Sequence, residues 1–214
     1  MAEQTVNKQR KIAPRKAPSQ ERSKQKVNQI LTAAKQLLIS DGLEKLTNNH
    51  IAKTAGMSVG SLYQYFPNKQ AILYRLYQDW LESVKDEIRP LILRASEVDL
   101  ETLLEELFVS VYGRPGNPHE DSLIESELLK AMGLYAELQE IDAEHSKAMG
   151  ELLAEIFLAA GLTCDEETAH QLGMFTYSFD VARFEFIKAG GQQELAFTWF
   201  SQSLLRVLGQ YLPK

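Results

Sequence analysis

From Val27 almost to the C-terminus, apolar residues recur three or four positions apart, and no stretch sustains the alternation of β-branched and polar residues that a half-buried strand requires. That one period restricts the fold to helices packed on helices, an all-α protein. Val27, Ile30, Leu31, Ala34, Leu37 and Leu38 form the apolar stripe of a first helix. The Asp41-Gly42 pair stops it, because glycine takes the left-handed C-terminal position without strain. Residues 1–20 lack the periodicity, contain Pro14 and Pro18 and carry Lys8, Arg10, Lys11, Arg15 and Lys16, the composition of a flexible basic arm.

The next segment poses a choice. Gly56-Met57-Ser58-Val59-Gly60 fits the G-x-S-x-G pattern of a hydrolase nucleophile elbow. Such an elbow needs a buried strand ahead of the serine and downstream acid and histidine partners, since an unassisted hydroxyl is a poor nucleophile. The stretch ahead of Ser58 is "NNHIAKTA", polar and helical in pattern, and His119, His145 and His170 stand in no catalytic context. The other reading is a pair of short helices. Thr47 caps one running to about Ala55, with Ile51, Ala52 and Ala55 inward, and the small residues let a second helix cross closely. Gly56 supplies the turn, and Ser58 caps the second helix by accepting from the amide of Gly60 or Ser61. Leu62 and Phe66 then face inward, and Val59, Gly60, Ser61, Tyr63 and Gln64 are left outside. Following a longer helix, this makes a helix-turn-helix whose second helix suits a major groove.

Charge by region leaves two readings about even, a basic DNA-facing end on an acidic body and a solvated acidic surface beside a basic tail. Residues 1–80 hold 13 Lys and Arg against 5 Asp and Glu, a balance of +8, while the remainder holds 10 against 24, a balance of −14, within a chain of net −6. A basic end on an acidic body can present its positive face to phosphates and turn the rest away.

"LTNNHIAKTAGMSVGSLYQYFPNKQAIL", with the preceding "ILTAAKQLLISDGL", closely resembles the DNA-binding domain of the TetR family of bacterial transcriptional regulators, over roughly residues 24–75. The resemblance rests on Thr47, Ile51-Ala52, Ala55-Gly56, Ser58, Leu62-Tyr63, Tyr65-Phe66 and Lys69 in order; the C-terminal body is similar only in helical character and length. It implies a homodimer that binds a near-palindromic operator on double-stranded DNA, usually repressing, and lets go when a small molecule occupies the C-terminal domain. It also implies that Val59, Gly60, Ser61, Tyr63 and Gln64 lie at or near base edges and backbone, with Tyr65 and Lys69 on phosphates. The residue chemistry is compatible: Ser61 and Gln64 can bond base edges, Val59 can touch a thymine methyl, and Gly60 removes a side chain at a close approach. Thr47 and Ser58 cap, and Thr47 can also touch a phosphate. Either Tyr63 or Tyr65 can instead pack between helices.

The expected organisation is a basic arm at 1–20, a three-helix helix-turn-helix domain at 21–67 and a larger helical ligand-binding and dimerisation domain at 68–214. In the last, a long helix starts near Asn68 and kinks or restarts at Pro90, and helices are expected near 99–112 and 120–132. "GRPGNPHED", residues 113–121, reads as a loop. A longer helix carries Leu138, Ile141, His145, Met149, Leu152, Ile156 and Phe157 and ends at Gly161. His145 on that stripe is either a core histidine or a ligand contact; His50 is expected to face solvent or phosphate.

The helices near 165–189 and 192–212 are apolar on more than one face, through residues such as Met174, Phe175, Phe186, Trp199 and Phe200. The second face is expected to meet the same helices of another copy, forming a four-helix interface. Tyr77, Trp80, Phe108, Tyr112, Met132, His145, Met149, Phe175 and Arg183 are candidates to enclose an apolar or aromatic effector, or else simply to fill the core. Cys164, the single cysteine, cannot form an internal disulfide, and the histidines show no metal-ligand spacing, so neither metal, cofactor nor enzyme activity is expected. With no signal-peptide core and no span of ~20 apolar residues, a cytoplasmic protein is expected. Two functions remain, a ligand-responsive regulator and an architectural or tethering DNA-binding protein that senses nothing.

Overall fold

The computed structural model describes residues 21–114, 117–118 and 122–213, with side chains at 22–111, 124–187 and 189–213; the basic arm expected at 1–20 lies outside them. The fold is all-helical: α1 (Glu21–Asp41), a 3-10 turn (Leu43–Lys45), α2 (Asn48–Thr54), α3 (Val59–Tyr65), α4 (Lys69–Ile88), α5 (Leu91–Arg94), α6 (Leu100–Tyr112), α7 (Ser122–Leu134), α8 (Ala136–Ala159), α9 (Glu166–Lys188) and α10 (Gln193–Leu208), then a last 3-10 turn (Gly209–Tyr211). One correction falls in the stretch read as a loop. Gly113–Arg114 (β1) and Asn117–Pro118 (β2) pair antiparallel, a two-rung ladder too short to register as period-2 alternation in the sequence. No helix of the described residues is long and apolar enough to cross a membrane.

The chain forms two compact units, one ending at Leu81 and resuming at 119–142, the other made of 82–118 and 143–214. In the first, the α1 stripe Val27, Ile30, Leu31, Ala34, Leu37 and Leu38 is buried as its spacing requires. It shares a core with Ile51 and Ala52 of α2, Leu62 of α3, Phe66, and Ile72, Leu73 and Tyr77 of α4. Each such aliphatic or aromatic side chain contributes about 1.5–3 kcal/mol by leaving water. Ile124, Leu128 and Ala131 of α7 and Leu138 of α8 complete this core, and α7 packs on α1 and on the 3-10 turn. A polar contact fixes that packing. Glu127 Oε2 accepts the Leu43 backbone N–H at 2.7 Å, just after Gly42, whose φ of 77° turns the chain out of α1. Burial alone would raise the Glu127 carboxyl; hydrogen bonds from Lys130 and the Leu43 amide outweigh it and hold the group below its usual range.

In the second unit, Ile88, Leu103, Leu104, Ile156, Phe157, Phe200, Leu204 and Leu208 pack together, and α10 lies against α9 and α6. Pro90 restarts the chain as the first residue ahead of α5, with φ −60°. Helices α8 and α9 cross at a pair of glycines. A Cβ on Gly173 would lie 2.1 Å from the Gly150 carbonyl oxygen, and one on Gly150 would lie 2.4 Å from Met174 Sδ. Only bare backbone permits the approach.

That crossing brings α8 and α9 side chains together one turn away. His145 is 6% exposed, edge-on to the Tyr177 ring at 5.8 Å, and its Nδ1 has no hydrogen-bond partner among the described residues. Burial first, and the Lys85 charge second, push its pKa down to about 4, with Glu82 opposing. The unfolded histidine titrates near 6.5, so between about 4 and 6.5 the unfolded chain binds a proton that the native one refuses. Stability therefore falls as pH drops through that window, by roughly 3 kcal/mol from this group. Denaturant midpoints compared for wild type and His145→Phe at pH 7 and pH 4.5 check this. The gap between the two proteins should move in favour of the variant on acidification, and a gap independent of pH would exclude a neutral buried imidazole.

Candidate nucleic-acid interface

The geometry of residues 47–69 follows from three local devices. Thr47, extended at φ −130°, accepts the His50 backbone N–H on its Oγ1 at 3.2 Å and opens α2. The helix closes with Gly56 at φ 64°, where Gly56 N–H bonds Lys53 O at 3.1 Å and Met57 N–H bonds Ala52 O at 3.0 Å, the paired bonds of a Schellman turn. Ser58 then opens α3. Its Oγ accepts the Ser61 backbone N–H at 3.1 Å and lies 2.9 Å from the Ser61 hydroxyl. Ser58 follows a helix and a tight turn rather than a strand, and its hydroxyl is occupied as a cap, the geometry of a helix start and not of a nucleophile elbow. Of the two amides that spacing allowed, Ser61 is the one capped.

The two helices pack against each other through Ile51, Ala52, Ala55 and Leu62, all buried. The crossing sorts the remaining side chains of α3. Gly60 and Gln64 are exposed, Tyr63 is 42% exposed, and Ser61 is half-buried. Val59, expected outside, is instead half-buried and packs with Met57 and Tyr65 against the core, because the first residue of a helix lies beside the turn that precedes it. Of the two tyrosines, Tyr65 is the one that partly packs. Lys69 opens α4, next to Asn68, whose Oδ1 accepts the Ala71 N–H at 2.9 Å. His50 is half-exposed, its Nδ1 3.9 Å from Asp41.

Gly60 is the informative residue. Its backbone is helical, so no left-handed conformation requires glycine. Among the described residues, the one atom beyond its own helix turn and chain neighbours that a Cβ there would meet is Ser58 Oγ, at 3.9 Å. No contact among them needs the bare backbone, which costs a helix about 1 kcal/mol relative to alanine.

One contact escaped the sequence reading. Asn48, the first residue of α2, donates from Nδ2 to the Tyr63 hydroxyl at 3.2 Å, while its Oδ1 is buried with no partner among the described residues.

The candidate effector residues fall in both units. Tyr77, Trp80 and Met132 belong to the first, where Tyr77 is fully buried and its hydroxyl donates to Asp142 at 2.5 Å. Phe108, Tyr112, His145, Met149, Phe175 and Arg183 belong to the second. The Tyr112 side chain lies outside the described residues. Phe108 and Arg183 do meet. Buried Arg183 donates from Nε to Asp180 at 2.7 Å, and its guanidinium stands 5.0 Å over the Phe108 ring and 5.8 Å from that of Phe200. Met149 is buried in the core, whereas Phe175 is 46% exposed. Val181 and Phe186 of α9 and Leu195 and Trp199 of α10 are exposed as well, and the Phe186 and Trp199 rings lie 6.0 Å apart.

The family model described as bacterial regulatory proteins, tetR family, matches residues 30–76. The chain is 31% identical over 81 residues to the nucleoid occlusion factor SlmA of Mannheimia succiniciproducens, covering 37% of this chain and 36% of that protein. It is 32% identical over 68 residues to the fatty acid metabolism regulator protein of Bacillus subtilis, covering 30% of this chain and 35% of that one. The match thus spans about a third of the length of these curated relatives. A solved structure of a TetR-family transcriptional regulator from Mesorhizobium loti shares the fold over 88% of this chain and 98% of its own, with a TM-score of 0.69 at 17% identity.

Proposed function

From the premise that this chain is a TetR-family protein, we propose that it is a dimeric regulator of transcription that binds a near-palindromic operator, represses there, and is released by a small molecule. The observation that carries the DNA-binding part is the outer face of α3. Gly60 has open space where no internal contact asks for glycine, and the exposed Tyr63 and Gln64 stand beside it. A helix that leaves its backbone bare on one side, with hydrogen-bonding side chains alongside, suits the floor of a major groove. Lys69 supplies a charge for the phosphate backbone. The exposed apolar face of α9 and α10 supports pairing with a second copy, which would hold two α3 helices about 34 Å apart or at a multiple of the helical repeat.

Duplexes retained by the wild-type protein from a random-sequence library supply the operator for the test. Gln64→Ala should weaken binding to that duplex about tenfold and leave affinity for random DNA nearly unchanged. Lys69→Ala should weaken both and reduce the slope of log K against log salt by about one. Equal losses on both duplexes for Gln64→Ala would remove it from the base-reading set.

The architectural reading, DNA binding without sensing, is favoured by one observation: Tyr77 and Arg183 already spend polar groups on Asp142 and Asp180. Linkage separates the two. An effector that releases DNA must bind more weakly, by the same factor, when the operator is saturating, and a compound with equal affinity in both states is no effector.

A further inference from the structure

We infer that Asn48 is a positioning residue for the DNA contact of Tyr63: by donating to the phenol oxygen it turns the phenolic proton outward and makes Tyr63 a hydrogen-bond donor to an acceptor on the duplex. The inference rests on the reading of α3 as the DNA-facing helix and adds the polarity of one of its contacts.

The donors and acceptors around the phenol decide where its proton goes. A phenol offers one proton and accepts on its lone pairs, and a neighbour that donates to the oxygen leaves the proton for something else. Asn48 Nδ2 lies 3.2 Å from the Tyr63 hydroxyl and Asn48 Oδ1 is buried with no partner among the described residues. Turning the amide round would exchange one buried carbonyl for a buried NH2 with two unmet donors, so the amide that donates to Tyr63 is the cheaper state. Tyr63 is 42% exposed and its oxygen receives no other hydrogen bond among the described residues. The proton therefore points to solvent in the free protein.

An outward proton selects its partner. An ionised phosphate oxygen only accepts, as do purine N7, guanine O6 and thymine O4, while the amino groups of adenine and cytosine only donate. The shared chemistry is an acceptor on duplex DNA. A phosphate contact is indifferent to base identity, whereas a base contact changes the preferred sequence. Asn48 and Tyr63 stand 15 residues apart on successive helices. The contact therefore also fixes where the ring stands relative to the start of α2.

The test is Tyr63→Phe made in three backgrounds, wild type, Asn48→Ala and Asn48→Asp, with binding measured to the duplex that the wild type retains from a random-sequence library. In the wild-type background the lost hydroxyl should cost about tenfold in affinity. With Asn48→Ala the ring is unanchored, and the same change should cost less than about threefold. With Asn48→Asp the carboxylate takes the phenolic proton, and Tyr63→Phe should cost nothing further. The added negative charge is common to both members of that pair and cancels. Repeating the library selection with Tyr63→Phe distinguishes the two acceptors, an unchanged sequence meaning phosphate and a relaxed position meaning base. A tenfold loss in all three backgrounds overturns the positioning role while leaving the DNA-binding reading intact. A wild-type protein that retains no duplex overturns both. Should Asn48→Ala fail to fold, the Asn48→Asp pair decides alone.

Discussion

Gly173→Ala is expected to destabilise the second unit by at least about 3 kcal/mol, or to prevent its folding, although alanine is the better helix former by about 1 kcal/mol. The new methyl would sit 2.1 Å from the Gly150 carbonyl oxygen and 3.1 Å from the Ala154 backbone nitrogen. Those are backbone atoms of a packed helix, and they can retreat only if α8 and α9 move apart. Gly150→Ala is the internal control. Its methyl meets Met174 Sδ at 2.4 Å and Cγ at 2.8 Å, atoms of a flexible side chain that can change rotamer, so its cost should stay below that of Gly173→Ala. Denaturant midpoints of the two variants check the order. A Gly173→Ala protein as stable as wild type would mean that the crossing is looser than its geometry.

In the proposed dimer, Trp199→Glu should leave monomers and lower affinity for the proposed operator about a hundredfold or more, with the reading head intact. Trp199 is 53% exposed in the single chain, beside the exposed Phe186. A glutamate there would meet its own symmetry mate or an apolar neighbour across a two-fold axis, and a charge cannot be desolvated in such a place without a partner. The affinity loss is large because two heads on one body bind the second half-site at a high effective concentration, which a monomer forfeits. Sedimentation and operator titration read the two effects separately. A variant that stays dimeric excludes this face from the interface.

What the sequence reveals about this protein is what its chemistry does locally. Thr47, Gly56 and Ser58 are legible because caps and Schellman turns bond within a few residues of themselves, so the residue type nearly dictates the geometry. The α1 stripe is legible because one face of it is buried and the other is not. The effector candidates are not, since periodicity says that a face is apolar without naming what it meets. Tyr77 and His145 look alike in the sequence, and each lies in a different unit. Phe175 stands both among the effector candidates and on the second apolar face of α9, because a helix apolar on more than one face gives its side chains no single direction. The Asn48–Tyr63 contact depends on how closely two short helices cross, which no spacing encodes.

The Glu127 bond to the Leu43 amide has a consequence for the order in which the chain can be made. The carboxylate that accepts the first amide of the 3-10 turn after α1 arrives 84 residues after the amide it serves, and Ile124, Leu128, Ala131 and Leu138, which close the same core, flank it in sequence. On a ribosome the reading head cannot be finished when its own helices have emerged. At 5–20 residues per second it waits several seconds for α7, with part of an apolar core uncovered. A head transplanted to another body at residue 67 would carry that unfinished surface permanently, whereas a graft that takes 119–142 with it would bring its own lid.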